Sequence, residues 1–295
     1  MENYKGKVAV ITGGANGIGF GIALALAKKG CNIVITDINV KAGKIAESKL
    51  NAEGIKALFI EHDVSNENSW DTAIETIKKK FSEVNYLFNN AGIMLRATPL
   101  AQLTVSDWRW IMDVNVWGAL FGLQKFTELM EGQAVQGQII TTASTAGLAP
   151  FSNWAAYSVS KTAVIRLVES YQAEANLLKK DKVKYSVVMP AVVETNISNC
   201  EVNRPSEYAN SDTPAEEIPP SKAGTPEGDA MGKITVELAV ERILKQIDYG
   251  NTYIYTHRNL TASVIIEETN AVLLNKAPVD QLVLDYTYYA KKLKR

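Results

Sequence analysis

The chain has 295 residues, 46% of them hydrophobic, and a formal net charge of −1. That composition can bury a substantial core and excludes an intrinsically disordered polymer. The near-neutral balance excludes a basic face for nucleic acid.

Val8-Ala9-Val10-Ile11 is a short apolar run closed by glycines, which reads as a buried parallel strand. Residues 18 to 29 follow at helical spacing through Ile18, Ile22 and Leu26, and Gly30 stands where a helix ends. Ile33–Thr36 is a second buried strand, and a helix near 40–53 leads to a third at Ala57–Glu61. Helices near 67–81, 105–130 and 155–178 then alternate with strands at Tyr86–Phe88, Gln138–Thr142 and Tyr185–Met189. The connections are too long for hairpins. The fold class expected is therefore α/β, a Rossmann-type doubly wound parallel sheet with helices on both faces, in one domain spanning 1–295.

The alternation breaks after Pro190. Residues 199–232 hold five prolines (Pro205, Pro214, Pro219, Pro220 and Pro226) and three glycines, so 196–232 reads as a mobile substrate lid. A helix resumes at 235–248, Thr252–Thr256 suggests a last strand, and the final forty residues look helical. The helices near 105–130 and 155–178 carry apolar residues on more than one side, among them Trp108, Trp110, Leu123, Phe126, Val164, Leu167 and Val168. Helices apolar on more than one side are buried.

The two cysteines, Cys31 and Cys200, have neither zinc nor disulfide spacing and read as reduced thiols of a cytoplasmic protein. The polar stretch Met1–Lys7 is unlike a signal peptide, and no apolar run approaches the ~18 residues of a membrane span. No membrane or nucleic-acid partner is expected.

Thr12-Gly13-Gly14-Ala15-Asn16-Gly17-Ile18-Gly19 joins the first strand to the first helix. Gly13 permits the turn, Gly17 lets backbone approach a pyrophosphate, and Gly19 permits close packing of the helix. The N-terminus of the helix offers unpaired N–H groups to phosphate. The second strand ends on Asp37, whose carboxylate suits ribose hydroxyls and repels a 2′-phosphate. With Asn at position 16 and no neighbouring cation, NAD is favoured over NADP. Asp63, followed by Val64, is a candidate for the adenine amino group, with simple turn chemistry as the alternative.

Tyr157 and Lys161 stand four apart, on one face of a helix. An ammonium beside a phenol favours phenolate, so Tyr157 is a candidate general acid and base with its pKa drawn toward neutrality. Ser144 lies just after the fifth strand, at the edge where such sheets bind ligands, and its hydroxyl suits a developing alkoxide. Asn115 falls inside an apolar helix, where a poor helix former suggests a backbone distortion or a bound water. His62 and His257 are the only histidines, and neither makes a hydrolase triad or a metal site plausible.

These residues together resemble the short-chain dehydrogenase/reductase family in its single-domain Tyr-x-x-x-Lys form. The matches are Thr12–Gly19, Asp63, Asn89-Asn90-Ala91-Gly92, Asn115, Ser144, Tyr157, Lys161 and Pro190 to Thr195, over about the first two-thirds of the chain. The resemblance implies that Asn90, Ala91 and Gly92 support the sheet beside the adenosine. It also implies that Lys161 holds the nicotinamide ribose, that Asn115 holds a relay water, that Val193 and Thr195 contact the carboxamide, and that the helices near 105–130 and 155–178 meet a second subunit in a homodimer or homotetramer. The chain departs from the pattern at Ala191, where the family has glycine after proline. The implied reaction is hydride transfer between NAD and an alcohol or ketone, with Tyr157 moving the proton. Met94, Leu95, Ala146, Leu148, Phe151 and Trp154 then suggest a pocket for an apolar, bulky secondary alcohol. The alternative is a nucleotide-binding regulator or scaffold without catalysis.

Overall fold

The computed structural model describes residues 4–209 and 232–281. Seven parallel strands form one sheet in the order β3-β2-β1-β4-β5-β6-β7. They are β1 (Val8–Thr12), β2 (Asn32–Asp37), β3 (Ala57–Glu61), β4 (Tyr86–Asn89), β5 (Gly137–Thr142), β6 (Val183–Met189) and β7 (Tyr253–Tyr255). The helices are α1 (Gly17–Ala27), α2 (Val40–Asn51), α3 (Glu67–Lys80), α4 (Val105–Met112), α5 (Gly118–Glu131), α6 (Ala155–Leu177), α7 (Val236–Asp248) and α8 (Arg258–Leu273).

Period-two alternation divides the sheet into two faces. Val8, Val10, Val34, Leu87, Ile139 and Val187 pack with Trp70 of α3, Phe126 of α5 and Val164 of α6. Ala9, Ile11, Ile33, Ile35, Phe88 and Ile140 pack with Ile22 of α1, Leu50 of α2 and Ile243 of α7. Strands buried on both faces explain the uninterrupted apolar runs. The strand order reverses between β1 and β4, both paired in parallel with register Val10↔Leu87. A crevice opens there beyond the carboxyl ends of the strands.

The helix expected over 105–130 is interrupted. Asp113–Trp117 form a π-helical turn between α4 and α5, with Asn115 at its centre, which is the distortion its polarity suggested. The apolar residues expected at a subunit contact serve the chain itself. Trp110, Leu123, Phe126, Val164 and Val168 are buried in its own cores, while Trp117 and Val159 stay 48% exposed. The helicity expected at the C-terminus holds for α8, and residues 282–295 lie outside the described residues.

The expected lid is described only over 196–209 and at Gly232, and its stretch 210–231 lies outside the described residues. The part described is tied to the body of the chain through side chains. Arg204, only 7% exposed at its side chain, pairs with Asp107 at 2.6 Å and with Glu201 at 2.9 Å. Its guanidinium lies 4.5 Å from the centre of the Trp110 ring and donates to the Tyr208 carbonyl at 3.1 Å. Tyr208 in turn donates to Asp113 at 2.9 Å. Proline and glycine content alone does not report such side-chain anchors.

Candidate active site

The phosphate turn follows β1. Gly13 and Gly17 have φ of 61° and 55°, which other residues adopt at a cost. A Cβ at Gly19 would stand 2.3 Å from the Gly13 carbonyl oxygen and 2.6 Å from Asn90 Nδ2. Gly19 is thus demanded by the turn and by Asn90 more than by the sheet. Thr12 Oγ1 accepts from the amides of Asn90 and Ala91, both at 2.9 Å, and Asn90 Nδ2 donates to the Thr12 carbonyl at 3.0 Å. These bonds tie β4 to the turn across the crevice. Asn16 is the N-cap of α1 and makes no side-chain capping bond, and Ile18 lies in the first turn of the helix.

Asp37 Oδ2 accepts from the Ala15 amide of the phosphate turn at 3.1 Å, and Oδ1 from the Asn39 amide at 3.0 Å. Burial pushes its pKa up, against those backbone bonds. Asp63 makes a turn of its own, Oδ1 accepting from Ser65 N at 2.9 Å and Ser65 Oγ at 2.7 Å. Val64 is buried under Gly118, where an added Cβ would meet Val64 Cγ2 at 3.0 Å. Val193 bridges to Ile234. Thr195 comes to the phosphate turn, its Cγ2 3.5 Å from where a Gly17 Cβ would be.

Ser144, Tyr157 and Lys161 converge beyond β5. Ser144 Oγ accepts from the Ala146 amide at 3.1 Å and donates to the Pro190 carbonyl at 3.3 Å. Ser158 Oγ donates to the Ala146 carbonyl at 2.7 Å, and Thr162 Oγ1 to the Gly147 carbonyl at 2.9 Å. The Ser144 turn is thereby fastened to α6. A Cβ at Gly147 would strike the Lys161 carbonyl carbon at 2.7 Å, so this approach needs glycine.

Lys161 Nζ sits 5.7 Å from the Tyr157 ring centre and donates to the Thr142 carbonyl at 3.0 Å. A side chain at Gly92 would stand 3.1 Å from both Lys161 Nζ and Asn115 Oδ1, so these groups share one small space. The pKa directions correct the expectation. Burial pushes Tyr157 up to about 12, a hydrogen bond with Ser144 opposing it, and burial pulls Lys161 down to about 8. Desolvation disfavours both charges, and at Tyr157 it outweighs the bond with Ser144.

Asn115 is fully engaged through its side chain. Oδ1 accepts from Ile93 N at 2.8 Å, while Nδ2 donates to the Ile93 carbonyl at 3.0 Å and to Ser160 Oγ at 2.9 Å. The amide therefore clamps the strand-following loop to the π-turn and has no free donor for a relay water. Over the site, Leu95, Ala146, Tyr157 and Cys200 form an apolar cluster with Met94, Phe151, Trp154, Ile197 and Tyr208 packed against it. Leu148 is not among them, since it packs toward α8 with Ala149, Leu260 and Val264. Both cysteines are buried and unpaired, and burial pushes each thiol up to about 12.

The geometry agrees with what the chain is similar to. The short chain dehydrogenase model matches residues 7–205. The chain belongs to the short-chain dehydrogenase family. A short-chain dehydrogenase from Burkholderia phymatum, solved in complex with NAD, superposes with a TM-score of 0.85 at 29% identity, over 95% of this chain and 99% of that one. The CLA biosynthesis dehydrogenase/reductase of Lactiplantibacillus plantarum is 29% identical over 263 residues, 87% of this chain and 90% of its own length. The L-2,3-butanediol dehydrogenase of Corynebacterium glutamicum is 35% identical over 193 residues, 65% of this chain and 73% of its length. Membership gives the departure at Ala191 its meaning. Ala191 packs on the cluster of Ala149, Leu260 and Val264, so its methyl is received by α8, which lies beyond the family match. Its φ is not positive, and glycine is not required there.

Some functional residues escaped the sequence. Thr12, Ser158, Thr162, Arg204 and Gln281 hold the site together through side chains. Their partners lie far away along the chain or on backbone groups, and no local pattern signals them. No helix among the described residues is long and apolar enough to cross a membrane.

Proposed function

We propose that this short-chain dehydrogenase is an NAD-dependent enzyme that interconverts an apolar, bulky secondary alcohol and its ketone. The observation that carries the reading is the convergence of Ser144, Tyr157 and Lys161 under an apolar cluster, beside a glycine turn that excludes side chains. The NAD complex of the Burkholderia relative supports the cofactor. The residues present fit it. A Cβ at Gly13, Gly14, Gly17 or Gly19 is strained or obstructed, and Asp37 Oδ1 and Oδ2 are set by the backbone N–H groups of Asn39 and Ala15. Gly13, Asn16, Gly17, Ile18 and Gly19 would receive the pyrophosphate, Asp37 the adenosine ribose, and Asp63 and Val64 the adenine. Asn90, Ala91 and Gly92 would support the sheet beside the adenosine, and Val193 and Thr195 would contact the carboxamide, with Lys161 on the nicotinamide ribose.

Bound NAD supplies the hydride acceptor. Ser144 Oγ–H donates to the substrate oxygen and favours the alkoxide character that develops there. Tyr157 Oη is the proton site. In oxidation it takes the hydroxyl proton, and in reduction it returns it. A phenol pushed up to about 12 carries its proton at neutral pH, the form that reduction uses. Oxidation needs phenolate, which Lys161 favours once its own ammonium is retained, because opposite charges in a dry site offset each other's desolvation. Alcohol oxidation therefore rises as pH increases, while ketone reduction is favoured at lower pH. Asn115 acts as a positioning group that fixes Ile93 and the π-turn.

The test is a panel of secondary alcohols with NAD, followed by the absorbance of the reduced nicotinamide. Tyr157→Phe is expected to lower turnover by at least ~10²-fold with NADH affinity kept. Turnover within a few-fold of wild type overturns the assignment.

A further inference from the structure

The chain beyond the family match does more than complete the sheet. After α8 it returns to the catalytic turn. Ser152 N donates to Asp280 Oδ2 at 2.8 Å, and Gln281 N donates to the Pro150 carbonyl at 2.8 Å. The side chain of Gln281, 3% exposed, then reaches the residue next to Ser144, with Nε2 donating to Thr145 Oγ1 at 3.0 Å. Its Oε1 is buried and has no partner among the described residues. The amide nitrogen is the end that binds.

The bond matters for what Thr145 does next. A hydroxyl that accepts from Gln281 turns its own hydrogen elsewhere, and Thr145 Oγ1 donates to the Pro190 carbonyl at 3.3 Å. The Thr145 amide donates to the same oxygen at 2.9 Å, and Ser144 Oγ is a third donor at 3.3 Å. A carbonyl oxygen has two lone pairs. Thr145 supplies two donors, so Ser144 is the surplus one.

We propose that Gln281 is a positioning residue for Ser144. By orienting the Thr145 hydroxyl it saturates the Pro190 carbonyl and leaves the Ser144 proton for the substrate oxygen. The inference rests on the reading of Ser144 as the donor to that oxygen. Without Gln281 the Thr145 hydroxyl is free to rotate, the Pro190 carbonyl regains an open lone pair, and Ser144 is held by it more firmly. A residue 137 positions from Ser144 thereby governs a proton at the reacting centre.

The experiment compares Gln281→Met, which keeps length and removes the donor, with Thr145→Val, Thr145→Ser and Ser144→Ala. Alcohol oxidation, NADH affinity and melting temperature are measured for each. Gln281→Met is expected to lower kcat about fivefold, the weight of one neutral hydrogen bond, with NADH affinity and melting temperature unmoved. Thr145→Val is expected to lose at least as much, Thr145→Ser to recover most of that loss, and Gln281→Met to add nothing on top of Thr145→Val. Wild-type kcat in Gln281→Met, with Ser144→Ala inactive, overturns this proposal alone. A kcat loss matched by losses of NADH affinity and melting temperature also overturns it, because it marks a merely structural contact. Wild-type rates in Ser144→Ala overturn the reading of the site and this proposal with it.

Discussion

Replacing Arg204 by Met removes a charge while keeping an apolar stem against Trp110. The guanidinium holds Asp107 and Glu201, whose side chains are only 11% and 10% exposed. Breaking a buried pair by removing one partner costs about 3–5 kcal/mol. Asp107 keeps two other bonds, from Thr104 N at 2.9 Å and Thr104 Oγ1 at 2.8 Å, so the lower end applies. Beside the Cys200 thiol on the Met94 carbonyl at 3.3 Å, the segment keeps two hydroxyl bonds, Ser106 on the Tyr208 carbonyl at 2.8 Å and Tyr208 on Asp113 at 2.9 Å. One is a neutral bond of about 1 kcal/mol and the other reaches a charge at about 1.5–3 kcal/mol. Residues 197–208 should then open locally, without the sheet unfolding. A loss of about 3 kcal/mol is roughly a hundredfold in the opening equilibrium. Hydrogen exchange followed by mass spectrometry reads it directly. Amides of 199–209 in Arg204→Met should exchange roughly a hundredfold faster, KM for the alcohol should rise, and NADH affinity should hold. Protection within threefold of wild type would refute the role of Arg204 as the anchor. The same network sets an acid limit. Burial raises the Asp107 pKa, but hydrogen bonds from Arg204 and Thr104 outweigh it and hold it below the usual range. The stabilisation is present above the ordinary carboxylate pKa and is lost as pH falls through the lowered value.

Asp37→Ala should narrow the preference for NAD over NADP in kcat/KM, and a wild-type enzyme that prefers NADP would contradict the ribose assignment. His62 is buried between Thr36, at 3.0 Å from its Nδ1, and the edge of Trp70, and burial pulls its pKa down to about 4. The unfolded chain binds a proton from about pH 6.5 downward and the folded one only near 4, so stability falls across that window, by about 3 kcal/mol. Urea titrations of His62→Gln should show a flatter decline, and an unchanged slope would count against it. Trp117 of the π-turn and Val159 of α6 are large apolar groups left exposed on the face where these elements lie. We expect a homodimer or homotetramer through that face, and Trp117→Glu should sediment as a smaller species unless assembly runs elsewhere.

The sheet was legible because strands buried on both faces leave unbroken apolar runs, and β1 to β6 stand where those runs are. The phosphate turn was legible because its glycines answer to local backbone geometry, as at Gly13 and Gly17. Asn115 announced the π-turn through its poor fit to an apolar helix, although its side chain proved committed to Ile93. The protonation of Tyr157 was not legible. Spacing reports that Lys161 is near, but only the packed site reports how dry both groups are. The anchoring of 197–208 was hidden for a related reason. Five prolines and three glycines describe the backbone of 199–232, whereas the hold on it comes from a guanidinium meeting a ring and two carboxylates on the folded surface. The place of Ala191 could be noticed as a departure, but the helix that receives its methyl lies some seventy positions onward.

The π-turn at Asp113–Trp117 also acts as a register device. A wider turn takes up one residue more than an α-helix does over the same length, and each residue of an α-helix advances its side chains by about 100°. Leu123, Phe126 and Met130 of α5 are all buried, so their bearing on the sheet is set with that extra residue counted in. Rewinding the turn as a regular α-helix with every residue kept would swing all three away from the strands and bring Lys125 round to the place of Phe126. The irregularity that presents Asn115 is thus the same one that aims a core helix. The side chains of the turn can vary, but losing its width without losing a residue would be met first by the core, before any question of catalysis arose.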